Sequence, residues 1–206
     1  MPQREEILYE ILCKKFGCGI FLKPAYQDFS NSKFHSGIFE VYKKLNGQLQ
    51  NYPVGFRGYD IQLKNCIVEL DEEQHFNRYR ALTLDSSIYN QTKCFAVSEY
   101  KRFCRDFESD CLSKADNRKY WSTSSTEKQF GKSSPEGILT GLGSSRWKQR
   151  AFYDFLRDVG QKISNYKLIR ISVHQKLKDK TVDEILSRQL SQYYDELFKI
   201  VEKAIQ

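Results

Sequence analysis

Between residues 60 and 75 the chain places Asp60, Glu69, Asp71 and His75, side chains that can hold a cation or move a proton. Residues 59–75 read as a short strand bearing Asp60, a tight Lys64-Asn65 turn, and a second strand from Cys66 to Leu70. On the two-residue period of a strand, Ile67, Glu69 and Asp71 share one face, and Cys66, Val68 and Leu70 the other. Such a hairpin brings Asp60 beside the end that holds Glu69 and Asp71. Two of these charges about 4 Å apart repel by roughly 4 kcal/mol at an intermediate dielectric, and a divalent cation is the simplest compensation. Glu69 stands inside an apolar run, where a charge persists only with a partner. An ion pair with an arginine such as Arg170 is the alternative to a metal. Glu72 and Glu73 read as solvated carboxylates.

The elements around the hairpin follow from periodicity. Leu8, Ile11, Leu12 and Phe16 predict a helix over residues 3–16, ended by Gly17 and Gly19, with Glu6 and Glu10 on its polar face as candidate extra carboxylates. A second helix carries Phe34, Ile38, Val41, Tyr42 and Leu45, and a third runs over 98–113. Residues 114–145, rich in Ser, Thr, Gly and Lys, show no periodicity and read as a functional or mobile loop. Trp147, Ala151, Phe152, Phe155, Leu156, Val159 and Ile163 then mark a long helix whose polar face shows Arg150, Asp154, Arg157 and Asp158. A strand over 166–173 follows. A closing helix opens on the Thr181 and Glu184 capping box. The order predicts one mixed α/β domain over residues 1–206.

Composition narrows the partners. The chain has 206 residues, 40% of them hydrophobic, and a net charge of +7. That supports a sizeable core and favours a polyanionic partner. No window is apolar for long enough to span a bilayer, and the polar start lacks a secretory pattern, so no membrane role and a cytoplasmic address are expected. Six cysteines without a Cys-x-x-Cys pair read as free thiols.

The pattern Asp60-x8-Glu69-x-Asp71 followed by Gln74-His75 resembles the hairpin of the PD-(D/E)XK nuclease superfamily. More narrowly, it is similar to the branch related to very-short-patch repair endonucleases. Asp154-x-x-Arg157 and the strand ending in Arg170 match the later part of that pattern. The resemblance covers two blocks, 59–80 and 150–173. It implies a restriction endonuclease-like core, a mixed central sheet flanked by helices, with residues 98–145 as a helical and loop insertion. The sequence departs from the superfamily at Asp71, where lysine is usual, and at Glu72, where glycine is usual.

What the resemblance implies is Mg²⁺-dependent hydrolysis of DNA in a restriction, defence or repair setting, with Mn²⁺ as a substitute ion. Phosphodiester cleavage requires charge stabilisation at phosphorus, an activated water and a neutralised leaving oxygen. Asp60 and Glu69 are the expected direct ligands, and Asp71 a ligand or a positioner of the attacking water. His75 reads as a proton shuttle, a phosphate contact or a core histidine. Asp154 would act on the site from the long helix, with Arg157 on a phosphate. Gln74, Arg146, Lys148, Arg150 and Arg170 complete the expected nucleic-acid contacts, the arginines and lysine at 146–150 following a Gly-Ser turn whose N–H groups could meet a phosphate. A homodimer is compatible with this reading. Gly131-Lys132-Ser133 lacks the upstream glycine of a phosphate-binding P-loop and is set aside. The competing class is a non-catalytic nucleic-acid-binding module on the same fold; a nuclease acting on RNA or single strands is a third reading.

Overall fold

The computed structural model describes residues 3–91, 95–114 and 121–206. The fold is mixed α/β, helix-rich, with one three-stranded and one two-stranded sheet among the described residues. Its backbone divides into two compact units, residues 1–23, 57–72 and 165–206 in one, and 24–56 and 73–164 in the other.

The first unit is built on a sheet ordered β1 (Ile61–Gln62), β2 (Cys66–Asp71), β3 (Lys167–Ser172). The expected hairpin is present: β1 and β2 are antiparallel, with Ile61 opposite Val68. β3 lies parallel to β2 on its other side and sets Arg170 opposite Glu69 and Ser172 opposite Asp71. All of β2 is buried, as a central strand next to a parallel partner should be, although two of its residues are acids. Helix α1 (Gln3–Phe16) buries Leu8 and Leu12 and stops at Gly17, whose φ of +75° is open to glycine at little cost.

The end of this unit differs from the periodic reading. The expected closing helix is two helices, α9 (Val182–Ser187) and α10 (Tyr194–Ile205), with Gln189 in a left-handed conformation between them. Before them, β4 (Lys176–Leu177) and β5 (Lys180–Thr181) pair as a small hairpin where only a loop was expected. The Thr181 and Glu184 capping box forms, each side chain accepting the other's backbone N–H. The free-thiol expectation fails at one pair. Cys13 and Cys18 are joined in a disulfide, while Cys66, Cys104 and Cys111 are buried thiols. Cys94 lies outside the described residues.

The second unit is helical. Its longest element, α8 (Ser145–Ser164), buries Trp147, Phe152, Phe155, Leu156 and Val159 against α2 (Tyr26–Ser30), α3 (His35–Lys44), α4 (Arg78–Leu84) and α7 (Ser124–Phe130). Tyr42 stacks on both Phe130 and Phe152 and donates to the Gln129 carbonyl at 2.7 Å. The helix expected over 98–113 is broken at Phe107 into α5 (Val97–Asp106) and α6 (Glu108–Ser113).

The Ser- and Gly-rich segment is more ordered than its sequence suggests. Thr123 caps α7, and residues 131–144 fold back on themselves through Ser134, whose N–H donates to the Gly143 carbonyl and whose hydroxyl donates to that of Thr140. Trp121 packs on Trp147, and its indole N–H donates to the Ser134 carbonyl at 2.8 Å. Here hydroxyl groups replace apolar periodicity as the organising chemistry. Residues 115–120 lie outside the described part.

Candidate functional sites in the two units

Asp60 and Glu69 clasp each other across the hairpin of the first unit. The Asp60 N–H donates to Glu69 Oε1 at 3.3 Å, and the Leu70 N–H donates to Asp60 Oδ2 at 3.1 Å. Each carboxylate is thus held and oriented by a backbone donor of the other strand. Glu69 is 2% exposed and Asp60 is partly buried.

A further carboxylate comes from α1, and it is neither Glu6 nor Glu10, both of which face solvent. Burial, together with the negative charges of Asp60 and then Glu72, pushes the Glu5 carboxyl up to about 7. The helix phase carried this information. Glu5 stands three residues before the buried Leu8 and seven before Leu12, so it shares their face, whereas Glu6 and Glu10 are rotated away.

The neighbouring acids are compensated differently. Asp71 accepts from Arg170 Nη1 at 2.6 Å in a pair buried on both sides. Glu72 accepts from Arg4 at 2.9 Å, and Arg4 also reaches Asp183 at 2.7 Å. Arg170, the partner foreseen for Glu69, stands opposite Glu69 in register and donates to Asp71. With Arg170 buried and bonded inside the unit, it is a support for Asp71 and presents no surface to a phosphate.

The second unit brings His75 and Asp154 together. His75 Nδ1 lies 2.8 Å from Asp154 Oδ2; the histidine side chain is 22% exposed and the aspartate 0%. A carboxylate that accepts from Nδ1–H leaves Nε2 as the ring's acceptor, the arrangement by which an acid orients a histidine base. Arg157 holds the other oxygen, Oδ1, at 3.3 Å and lies over the Phe56 ring.

The remaining expected nucleic-acid residues are mostly engaged in this unit. Arg150 donates to the Gln74 side chain, and Gln74 donates to the Lys114 carbonyl at 3.0 Å. Arg146 bonds Gln149. Lys148 is 6% exposed, donates to the Leu142 carbonyl at 2.8 Å and has its pKa lowered by burial. The phosphate cradle expected at the start of α8 is already filled by protein. The N–H groups of Gly143, Ser144, Ser145, Arg146 and Trp147 donate to Ser134, Tyr79, Ser133, Trp121 and Ser144 respectively.

Sequence reading missed one buried charge group. Asp158, expected on a polar face, is 2% exposed and accepts from Arg80 at 2.8 Å and from the Tyr89 hydroxyl at 2.5 Å. It is a structural clasp, fully enclosed.

A family model described as a family of unknown function (DUF7255) matches residues 40–190. No curated protein and no solved structure matches the chain. Among the described residues, no helix is long and apolar enough to cross a membrane.

Proposed function

The chain belongs to a family of unknown function, DUF7255, and we propose that it is a Mg²⁺-dependent endonuclease of the PD-(D/E)XK kind, hydrolysing phosphodiester bonds of DNA. The observation that carries this reading is the clasp of Asp60 and Glu69 across the hairpin, with Glu5 brought into the same negative field. Carboxylate oxygens are the donors a hard divalent cation takes, so the residues present fit Mg²⁺.

In this reading Asp60 and Glu69 would hold the ion, and Glu5 would be an additional carboxylate on the helix side. Mg²⁺, when bound, would supply charge stabilisation at phosphorus and a lowered pKa for water. Asp71, fixed by Arg170, positions the attacking water through its carboxylate. His75 and Asp154, paired within the second unit, would form a proton-carrying pair of their own, with Nε2 as the atom that takes or returns a proton and Arg157 keeping Asp154 in place. The restriction endonuclease-like core belongs to the same proposal: a hairpin with Asp60 just before its first strand and Glu69 and Asp71 on its second, followed after a long crossover by a parallel strand bearing Arg170.

Plasmid nicking in Mg²⁺ is the direct test. Asp60→Ala and Glu69→Ala are expected to abolish it while the circular dichroism spectrum stays that of the parent. Full nicking by both variants would end the proposal. Labelled duplex, single-stranded and RNA substrates, run side by side, separate a DNA enzyme from one acting on RNA or single strands.

One observation favours a second reading, a non-catalytic nucleic-acid-binding module on the same fold. Asp71 is already neutralised by Arg170, as it would be where an arginine had taken over the role of a cation. Duplex binding without nicking in either Mg²⁺ or Mn²⁺ is the outcome that selects it.

A further inference from the structure

The segment that follows α1 presents two aliphatic side chains to solvent in a setting that is otherwise cationic. Ile20 is 90% exposed and Leu22 86%. Between them Phe21 turns inward, its ring 5.8 Å from that of Tyr166 and its N–H donating to Gln62 Oε1 at 2.6 Å. The outward and inward alternation is that of an extended strand.

The base of this segment is fixed. Cys18 bridges antiparallel to Leu63, Gly19 N–H donates to the Gln62 carbonyl at 2.8 Å, and Lys64 N–H donates to the Gly17 carbonyl at 3.0 Å. A Cβ on Gly19 would stand 2.3 Å from the Leu63 carbonyl oxygen, so only glycine permits the approach. The Cys13–Cys18 disulfide ties the same residues back to α1. Ile20 and Leu22 are therefore displayed on a braced element of the hairpin unit.

Charge complements the apolar pair. Lys14 and Lys15 end α1 and are exposed, as are Lys23 beyond the pair and Lys64 at the hairpin turn. No aspartate or glutamate occurs in residues 11–27 or 61–68. A lysine-rimmed aliphatic pair is complementary to a polyanion that offers a small apolar entry.

Magnitudes choose among polyanions and partners. A stable protein interface takes about 800 Å² from each side, more than two side chains supply. A bilayer anchor of useful strength needs more than one myristoyl chain, and Ile20 and Leu22 together carry fewer carbons than one. Nucleic acid is different, because phosphate contacts supply most of the affinity and one or two apolar side chains suffice as a wedge between base steps.

We propose that Ile20 and Leu22 form a wedge that enters duplex nucleic acid, with Lys14, Lys15, Lys23 and Lys64 on the flanking phosphates. The choice of partner rests on the nuclease reading. The placement deepens that reading, since Phe21, between the two, bonds Gln62, which stands opposite Ile67, two residues or about 7 Å along β2 from Glu69. Along a duplex axis that is about two base pairs. The wedge would fix the register of the strand against the Asp60 and Glu69 pair.

The test is duplex binding by the full chain in EDTA, monitored by fluorescence anisotropy on a labelled random-sequence duplex across a salt series. Ile20→Ser with Leu22→Ser is expected to weaken binding about tenfold and leave the salt slope unchanged. Lys14→Gln with Lys15→Gln and Lys64→Gln is expected to flatten the slope by about 0.9 for each phosphate that a lysine no longer neutralises. Unchanged affinity of the double serine variant overturns the wedge. So does binding to phosphatidylserine vesicles in preference to duplex, or a dimer by sedimentation that the serine variant dissociates. Cleavage is not needed for this measurement. Wedge-dependent binding in a protein that never nicks DNA would remove the nuclease reading and leave the wedge standing.

Discussion

Arg170 Nη1 lies 2.6 Å from Asp71 Oδ1, with side chains 0% and 2% exposed, on parallel strands whose register sets Arg170 opposite Glu69. The guanidinium thus reaches diagonally along the sheet to the more C-terminal acid. Removing one member of a buried pair leaves the other charge without its counterion and typically costs about 3–5 kcal/mol, whereas replacing both with apolar groups costs far less. Arg170→Met alone is expected to lose stability on that scale in urea unfolding, and Arg170→Met with Asp71→Leu to recover most of it. Equal losses in the single and double variants would show that the pair is not a unit.

Glu5 supplies a pH prediction. Burial first, and then the charges of Asp60 and Glu72, push its carboxyl up to about 7 from an ordinary 4.5. In the unfolded chain that proton leaves near the ordinary value, so between the two values the native state binds more protons. Stability contributed at this position is therefore greatest at the acid side and falls as pH rises through the window. Glu5→Gln is expected to gain stability over the parent as pH rises from about 5 to about 8, measured as the difference in urea midpoints. Saturating Mg²⁺ is expected to narrow that difference at the alkaline end, because a cation among the carboxylates favours the charged form. A difference that does not vary with pH would place Glu5 outside the negative field.

The hairpin was legible in the sequence because a two-residue alternation and a turn define it locally, and its acids interrupt an apolar run at Glu69. The long helix α8 was legible for the same reason, in the 3.6-residue period of Trp147, Phe152 and Phe155. What escaped was polar order. Helix α7 and the folded-back 131–144 segment depend on Thr123, Ser133, Ser134 and Ser144 accepting or donating single hydrogen bonds, which leave no periodic trace. Asp158 escaped because its partner Arg80 is 78 residues away, and a side chain buried by a distant ion pair looks from sequence like one facing water. Glu5 was within reach through the phase of Leu8 and Leu12, since Glu6 and Glu10 lie off that face.

The Cys13–Cys18 bridge closes a short loop, with a sequence separation of 5. Loop-closure entropy for a ring of this size corresponds to about 2 kcal/mol. Dithiothreitol is expected to lower the urea stability of the parent by about that amount and to leave Cys13→Ser with Cys18→Ser unaffected. The buried thiols Cys66, Cys104 and Cys111 serve as the internal control, since burial raises the pKa of Cys66 to about 11 and of Cys111 to about 12 and keeps both as unreactive thiols. A parent protein indifferent to reductant would mean that the bridge contributes nothing to the fold.

The contact of His75 with Asp154 fixes which ring nitrogen is available for chemistry. Asp154 is fully buried, is held on its other oxygen by Arg157, and faces Nδ1 at 2.8 Å, so the tautomer with Nδ1–H and an accepting Nε2 is stabilised. Two-bond ¹⁵N correlation spectra of the ring are expected to show that tautomer in the parent and a mixture in Asp154→Asn, because an amide oxygen holds the N–H without the charge. If His75 carries a proton in the proposed hydrolysis, His75→Gln and Asp154→Asn should both slow nicking by about 10²-fold or more, and Arg157→Ala by less. The spectra separate the roles. A tautomer lost in Asp154→Asn with nicking unchanged would leave the pair as a brace within the helical unit and remove His75 from the chemistry.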